Sequence, residues 1–356
     1  LNSNFNVIQD NIKIVEDESV DTANRLNVIR ADIFNKINKL NDILIEYVCN
    51  IKMYLNTDIT NFSGSSNKLY ILPYNGSGVY LFSDTYNRWV YRTIKNNQIL
   101  TFNLNELESN TSYDIFLGFN EDTKEFQIKF VKWNDKDQTF KKRDGDTSIV
   151  LVDNVKVNKD FKSFRYMGCL RTTLNNTVES TNYGNDLAGV HLKQYLWNYY
   201  NREKKTICNK ITGFYENLYT YTSSNNLNSS WFRTSYINEK DNLTSGSCFS
   251  FILGDYTYID LRYVNYINSL TNSVTVYSGV TINNQFDFNN EFGSLLVGIK
   301  TINGTDSVGN TTSTYTAVLP PGNYTLQTYD ACTNKVVFNK NYDTTLKTGF
   351  IASIVN

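Results

Sequence analysis

The stretch that decides the fold class is residues 19–55, SVDTANRLNVIRADIFNKINKLNDILIEYVCNIKMYL. It contains neither Gly nor Pro, and its apolar residues recur at alternating spacings of four and three. This period, sustained over several heptads, indicates an α-helix that forms a coiled coil. The seam residues are Leu26, Ile33, Ile37, Leu40, Leu44, Tyr47, Ile51 and Tyr54, with Ala23 at the start of the seam and Arg30 as a polar break.

Two interpretations of this helix remain open. The mixture of Ile and Leu along the seam is compatible with three helices, so the first interpretation is the stem of a homotrimer. The second is a single amphipathic helix that lies on the protein's own core. A strict 3.5-residue period over this length favours partner helices.

From residue 60 onward the pattern changes to short runs in which Tyr, Phe, Val and Ile alternate with polar residues. Each run is closed by Asn, Gly, Asp or Ser, as in 68–72, 78–82, 113–118 and 247–253. Such runs, with no amphipathic helix between them, predict antiparallel β-sandwich or barrel domains. We therefore predict a mainly β protein on a trimeric helical stem.

This pattern also suggests a domain organisation. We predict an N-terminal coiled-coil stem at 1–58, a first β domain at 59–210 and a C-terminal β-sandwich domain at 211–356.

Composition limits the classes of function. The formal net charge is -1, which disfavours the basic surface that nucleic-acid binders present to phosphates. There is no run of about 18 apolar residues, so we predict no membrane insertion. The 5 cysteines are scattered without a C-x-x-C pair, which argues against a zinc ribbon and suits thiols kept reduced during assembly in a cytoplasm.

The most specific motif lies in the predicted first β domain. Residues 165–173 read RYMGCLRTT, residues 178–180 read VES and residues 194–202 read QYLWNYYNR. Upstream of these runs, residues 69–76 read LYILPYNG and residues 112–116 read SYDIF.

These runs resemble a module of tail fibres and related appendages of tailed bacteriophages, in which an R-Y-L-G-x-x-R-T-T strand, a T-E-D-S-like loop and a W-N-x-Y-N-R strand follow one another. The resemblance covers about residues 67–202, and the chain departs from it at Met167, at Cys169 and in an insertion at 181–192. The matching positions are Arg165, Tyr166, Gly168, Arg171, Thr172, Thr173, Glu179, Trp197, Asn198, Tyr200, Asn201 and Arg202.

The resemblance implies a trimeric virion fibre that is assembled in the host cytoplasm and attached to the tail or to the capsid by its stem. It implies other virion proteins as partners, and a host-surface glycan or protein as a receptor. A head fibre without receptor binding is one alternative. From the residue types, Arg171 and Arg202 offer planar forks that suit a carboxylate such as Glu179.

Catalysis finds little support in the sequence. The single histidine, His191, provides no Ser-His or Cys-His triad and no multi-histidine metal site, so we predict no enzyme activity and no cofactor. A fibre-borne glycan depolymerase would need paired carboxylates, for which Asp255, Asp260, Asp287 and Glu291 are available. A cellular adhesin or secreted lectin is the weaker third class.

Overall fold

The computed structural model describes most of the chain. The described residues are 2–58, 64–95, 98–133, 148–180, 192–210, 232–233, 236–237, 243–245, 248–269, 273–282, 298–303, 308–332, 336–338 and 349–355. They form a mainly β protein that begins with one long helix.

Helix α1 spans Asn2–Tyr47, which is 46 residues. It begins well before residue 19, where the predicted stretch started, and it ends before residue 55. Two exposed ion pairs lie along it, Asp21–Arg25 at 3.0 Å and Asp32–Lys36 at 2.8 Å. In both pairs the acid precedes the base by four residues, an arrangement that stabilises a helix by about 0.2–0.5 kcal/mol. No described helix combines the length and the hydropathy that a membrane-spanning helix needs.

Strands follow the helix along the rest of the chain. They are β1 (Ile51–Tyr54), β2 (Gly64–Ser66), β3 (Lys68–Pro73), β4 (Gly78–Ser83), β5 (Arg88–Thr93), β6 (Leu100–Asn103), β7 (Ser112–Asn120), β8 (Glu125–Lys132), β9 (Ile149–Val152), β10 (Val155–Asn158), β11 (Arg165–Arg171), β12 (Val178–Ser180), β13 (Leu192–Gln194), β14 (Leu196–Asn198), β15 (Lys204–Lys210), β16 (Phe232–Arg233), β17 (Tyr236–Ile237), β18 (Leu243–Ser245), β19 (Cys248–Leu253), β20 (Thr257–Ser269), β21 (Ser273–Ile282), β22 (Gly298–Asn303), β23 (Val308–Leu319), β24 (Gly322–Cys332), β25 (Val336–Phe338) and β26 (Gly349–Val355).

The end of the predicted seam is wrong, because Ile51 and Tyr54 belong to β1 and not to the helix. Strand β1 pairs antiparallel with β3, so that Ile51 lies opposite Pro73. The physical reason is that the spacing of the apolar residues changes here, from a heptad repeat to every second residue. Four alternate apolar side chains enter the core here, Cys49, Ile51, Met53 and Leu55, and none is more than 4% exposed.

The strands form several sheets. A three-stranded sheet has the order β1-β3-β6, and β4 pairs with β5. A six-stranded sheet has the order β8-β7-β11-β10-β9, with β14 beside β11. An eight-stranded sheet runs β2-β12-β13-β19-β24-β21-β22 with β16 on β24, and a five-stranded sheet runs β15-β26-β20-β23 with β25 on β20. Within the described residues these sheets are open, since each order ends in two edge strands.

The predicted boundary at 210/211 does not separate two cores in the described residues. One buried cluster joins Phe116, Tyr166 and Trp197 from before the boundary to Phe249 and Phe251 from after it. Strand pairing crosses the boundary as well, because β13 is parallel to β19 and β15 is antiparallel to β26. We call helix α1 the stem, and the strands β1 to β26 the body.

Candidate functional site: the stem and its anchor in the body

The stem presents apolar side chains to solvent. Every residue from 7 to 37 is exposed, and the predicted seam residues Leu26, Ile33 and Ile37 are 57%, 51% and 48% exposed. Predicted seam residues Leu40, Leu44 and Tyr47 also lie in α1, but their side chains lie outside the described part of the chain. Contiguous exposed apolar surface of this kind marks an interaction site.

The connection between stem and body is short and hydrogen-bonded. Only residues 48–50 separate α1 from β1. The Asn50 backbone N–H donates to the Gly78 carbonyl at 2.8 Å, and the Tyr74 N–H donates to the Asn50 carbonyl at 2.9 Å. The stem therefore enters the body through ordered backbone and not through a free linker.

Two asparagines of the W-N-x-Y-N-R run hold the strand that follows the stem. The Met53 N–H donates to Asn198 Oδ1 at 2.9 Å, and Asn198 Nδ2 donates to the Met53 carbonyl at 3.2 Å. Asn201 Nδ2 donates to the carbonyls of Cys49 and Ile51 at 2.6 and 2.9 Å. An amide side chain suits this task because it carries both a donor and an acceptor.

Arg165 on β11 belongs to the same group of polar side chains as Asn198 and Asn201. It is fully buried, and its Nε donates to the Tyr200 hydroxyl at 3.0 Å while Nη1 donates to the Tyr80 carbonyl, also at 3.0 Å. Its guanidinium carbon lies 4.4 Å from the centroid of the Tyr200 ring. Burial raises the pKa of the Tyr200 hydroxyl, so the phenol remains neutral and can accept this hydrogen bond. We call Arg165, Asn198, Tyr200 and Asn201 the anchor.

The structure brings the two halves of the fibre-like motif together as neighbouring strands. Strand β11 pairs with β14 so that Gly168 lies opposite Asn198 and Cys169 lies opposite Trp197. Gly168 has a φ of 149°, and a Cβ there would lie 2.1 Å from the Trp197 carbonyl oxygen. Only glycine fits this close approach.

Tyr166 and Trp197 of the motif are core residues. Their side chains are 0% and 1% exposed, and they belong to the cluster that contains Phe249 and Phe251. The Tyr166 hydroxyl donates to the Gly254 carbonyl at 3.4 Å. These two motif residues therefore join the motif strands to the later part of the body.

The paired threonines of the motif fix turns. Thr172 Oγ1 lies 2.6 Å from the Glu108 carbonyl and accepts a 2.9 Å bond from the Thr111 N–H. The Thr173 hydroxyl lies 2.9 Å from that of Thr177. Both threonines are buried, so their contribution is to the fold and not to an exposed ligand site.

The predicted pairing of Arg171 and Arg202 with Glu179 is wrong. Lys193 Nζ lies 3.1 Å from Glu179 Oε2. Arg171 donates to Asn110. The Arg202 guanidinium lies 5.3 Å from the Trp197 ring. The physical reason is strand register: β12 carries Glu179 beside β13, which carries Lys193.

Sequence reasoning missed a second polar cluster next to the anchor. Lys52 is 4% exposed, and its Nζ lies 2.9 Å from Glu203 Oε1. The Tyr74 hydroxyl donates to the same oxygen at 2.5 Å. Burial lowers the pKa of Lys52 and raises that of Tyr54 to about 12. The signal that could have indicated this buried charge is the position of Lys52 among apolar residues that alternate along β1.

The structure does not describe two of the carboxylates considered for glycan hydrolysis, and one of the other two is paired with a lysine. Asp255 Oδ2 lies 2.5 Å from Lys156 Nζ, and Asp260 lies on β20. Asp287, Glu291 and His191 lie outside the described residues. In the part of the chain that the structure describes, no group of three or more His, Cys, Asp or Glu side chains could hold a metal ion.

Comparisons with known proteins identify no family. No family model matches the chain, and no curated protein matches it. Similar solved structures include the Eiger TNF from S. frugiperda, with a TM-score of 0.22 and 11% identity over 36% of this chain and 87% of that one. The infectious bursal disease virus Gt strain gives a TM-score of 0.24 and 11% identity over 86% and 71% of the two chains. A Bacillus thuringiensis Cry1Da tryptic core variant gives a TM-score of 0.19 and 7% identity over 86% of this chain and 50% of that one. Scores this low carry no argument about function.

Proposed function

We propose that this chain is a structural fibre protein of a tailed-phage virion, a homotrimer whose stem attaches to the particle and whose body projects from it. The observation that supports the proposal best is the exposed apolar seam of the stem around Leu26, Ile33 and Ile37. Complete burial of one Leu or Ile side chain stabilises by about 1.5–3 kcal/mol. A seam repeated in each helix would therefore supply much of the free energy of association.

The width of the apolar face supports three helices over two. Ile29 and Phe34 flank the seam on opposite sides and are 54% and 65% exposed. In a helical bundle, apolar residues at such flanking positions contact a second neighbour, which a two-stranded coiled coil does not provide. We propose a parallel arrangement, with the bodies together at the C-terminal ends of the stems.

The anchor supports a mechanical role for the fibre-like motif. Its asparagines, Asn198 and Asn201, bind the backbone of β1, which follows the stem directly. Arg165 donates to the Tyr200 hydroxyl and to the Tyr80 carbonyl of β4. A fibre must pass load between its attachment stem and its projecting part, and buried hydrogen bonds between fixed elements resist that load better than a flexible linker.

We further propose that the outer face of β20 and β23 contributes to host-surface contact. Tyr258 lies opposite Val318 in this pair of strands, and the two side chains are 52% and 58% exposed. Tyr256, just before β20, is 67% exposed. Tyrosine provides an apolar ring and a hydroxyl at low entropic cost, which suits binding to a glycan or to a protein.

Sedimentation of the full chain tests the trimer. We expect a mass three times the 41.0 kDa of one chain. Ile33→Glu combined with Ile37→Glu should yield a monomer, because charges would enter the seam. Val28→Glu is the matched control, since Val28 is 69% exposed and lies on the opposite side of the helix, and this variant should remain a trimer. A monomeric parent chain would refute the proposal.

Two further experiments test the remaining parts. Reconstruction of a whole particle would locate the chain at the tail or at the capsid, and its absence from the particle would contradict the virion role. Purified chain should compete with virions for adsorption to their host cells, and Tyr256→Ala with Tyr258→Ala should weaken this competition. Tyr86→Ala is the control, because Tyr86 is also 52% exposed but lies in the β4–β5 turn.

A further inference from the structure

The stem begins earlier than the heptad pattern predicts, and its first half carries exposed apolar residues of its own. Helix α1 is continuous from Asn2. Ile8, Ile12 and Val15 are 55%, 53% and 64% exposed, much like the seam residues further along. These three residues precede the predicted seam, which starts at Ala23.

The spacing of these residues shows how the two parts of the stem connect. From Ile8 the steps to Ile12, Val15, Ser19, Ala23 and Leu26 are four, three, four, four and three residues. A pure heptad seam alternates three and four, so the two consecutive steps of four around Ser19 form a single stutter. Residues 12 to 23 then make an eleven-residue repeat, which unwinds a left-handed supercoil locally.

The stutter keeps the whole seam on one side of the helix. At about 100° per residue, Ile8 and Ile37 are 29 residues apart and differ in direction by only about 20°. With the same arithmetic, the seam positions from Ile8 to Ile37 fall in a stripe about 80° wide. Four uninterrupted heptads would instead drift by about 80° between their first and last residues.

Other apolar residues of the stem lie off this stripe and provide an internal comparison. Ile14, Val20 and Val28 are 55%, 61% and 69% exposed, yet each points about 100° or more away from the centre of the stripe. Exposure alone therefore does not separate the two sets of residues, whereas direction does.

We infer that the interaction surface of the stem extends to Ile8 and binds two further copies of this same chain, parallel and in register, through one continuous seam with a stutter at Ser19. This inference rests on the proposed trimer and adds its geometry. The layers at Ser19 and Ala23 carry small side chains, so the helices approach most closely where the supercoil unwinds.

Crosslinking at single cysteines in the full chain tests the inference. Ile12→Cys and Val15→Cys lie on the stripe and should join neighbouring chains in high yield with a short bismaleimide. Ile14→Cys is the matched control off the stripe and should crosslink severalfold less, and the parent chain reports the background from its own cysteines. Parallel, in-register packing is required, because an antiparallel partner would not bring residue 12 close to residue 12.

Two deletions test the phase of the stutter in the Ile12→Cys chain. Deletion of residues 19–22 restores an uninterrupted heptad pattern, so crosslinking should persist. Deletion of residues 19–20 rotates the first part of the stem by about 200° relative to the rest, so crosslinking should fall to background. Equal yields from both deletions would overturn the inference.

The outcomes separate this inference from the trimer itself. A chain that sediments as a monomer would refute the proposed trimer. A trimer in which Ile12→Cys and Val15→Cys crosslink no better than Ile14→Cys would refute only the extended seam and leave the trimer intact.

Discussion

Replacement of Asn198 by alanine should loosen the strand that joins the stem to the body. Asn198 is 4% exposed, and its amide satisfies both the N–H and the carbonyl of Met53 on β1. A buried backbone group left without a partner costs about 1–3 kcal/mol, so two such groups predict a loss of about 2–6 kcal/mol in the free energy of unfolding. The same change removes the contact that fixes β1 against β14.

Two measurements check this prediction. Guanidinium unfolding followed by tryptophan fluorescence reports the stability of the body, and hydrogen exchange of residues 49–55 reports the opening of β1. Asn105→Ala is the matched control, because Asn105 accepts an exposed 3.2 Å bond from Asn67 and should cost less than about 0.5 kcal/mol. If Asn198→Ala shifts the midpoint no more than this control, and protection of 49–55 is unchanged, the anchor does not hold β1.

Four further predictions concern single residues. Arg165→Lys should lower the free energy of unfolding by about 2–4 kcal/mol in denaturant titrations, because an ammonium cannot reproduce the two separated bonds of the guanidinium to Tyr200 and Tyr80. Gly168→Ala should lower the free energy of unfolding by more than about 3 kcal/mol, or prevent folding, because its Cβ would lie 2.1 Å from the Trp197 carbonyl oxygen. Gly64→Ala is the control, because Gly64 also has a positive φ but a Cβ there would have nothing within 4 Å. Burial raises the pKa of the Cys49 thiol to about 11 from 9.0, so the stability that this thiol contributes is complete below pH 9 and is lost as the pH rises towards 11. Cys49→Val should therefore flatten the fall of the melting temperature over that range, and an unchanged slope would contradict the shift. In the proposed trimer, Arg30→Ile should raise the melting temperature of the stem in circular dichroism at 222 nm, because a guanidinium leaves the proposed seam. A lower melting temperature would contradict the position of residue 30 in that seam.

Sequence periodicity predicted the existence of the stem but not its limits. A search for alternating steps of three and four stops at Ala23, because the stutter at Ser19 breaks the alternation, so the predicted seam did not reach the first part of the predicted stem. At the other end, Ile51 and Tyr54 continue the heptad spacing by coincidence. The alternating residues from Cys49 to Leu55 carry the competing period of two, and burial in the body decides between the two patterns.

The order of the motif runs indicated a β unit, yet it could not supply their contacts. Asn198 binds the backbone of Met53, which is 145 residues away along the chain. A contact between a side-chain amide and a distant backbone produces no pattern in the sequence from which it could be predicted. Glu179 pairs with Lys193 because register places β12 beside β13, and the length of the intervening insertion hides that neighbour from the sequence. Residue types predict which groups need partners, whereas topology selects the partners.

The position of the anchor gives the fibre-like motif a physical purpose that does not depend on a ligand. Rotation or bending of the stem would act first on residues 48–50, whose backbone is bonded to that of β4, and then on β1. Asn201, which lies three residues after the end of β14, donates to the Ile51 carbonyl of β1. Arg165 on β11 donates to the Tyr80 carbonyl of β4. Both strands that receive the stem are thus held by side chains of the same motif. The segment that follows the stem is therefore held by buried hydrogen bonds, and a substitution in the motif should loosen this junction before it alters any outer surface.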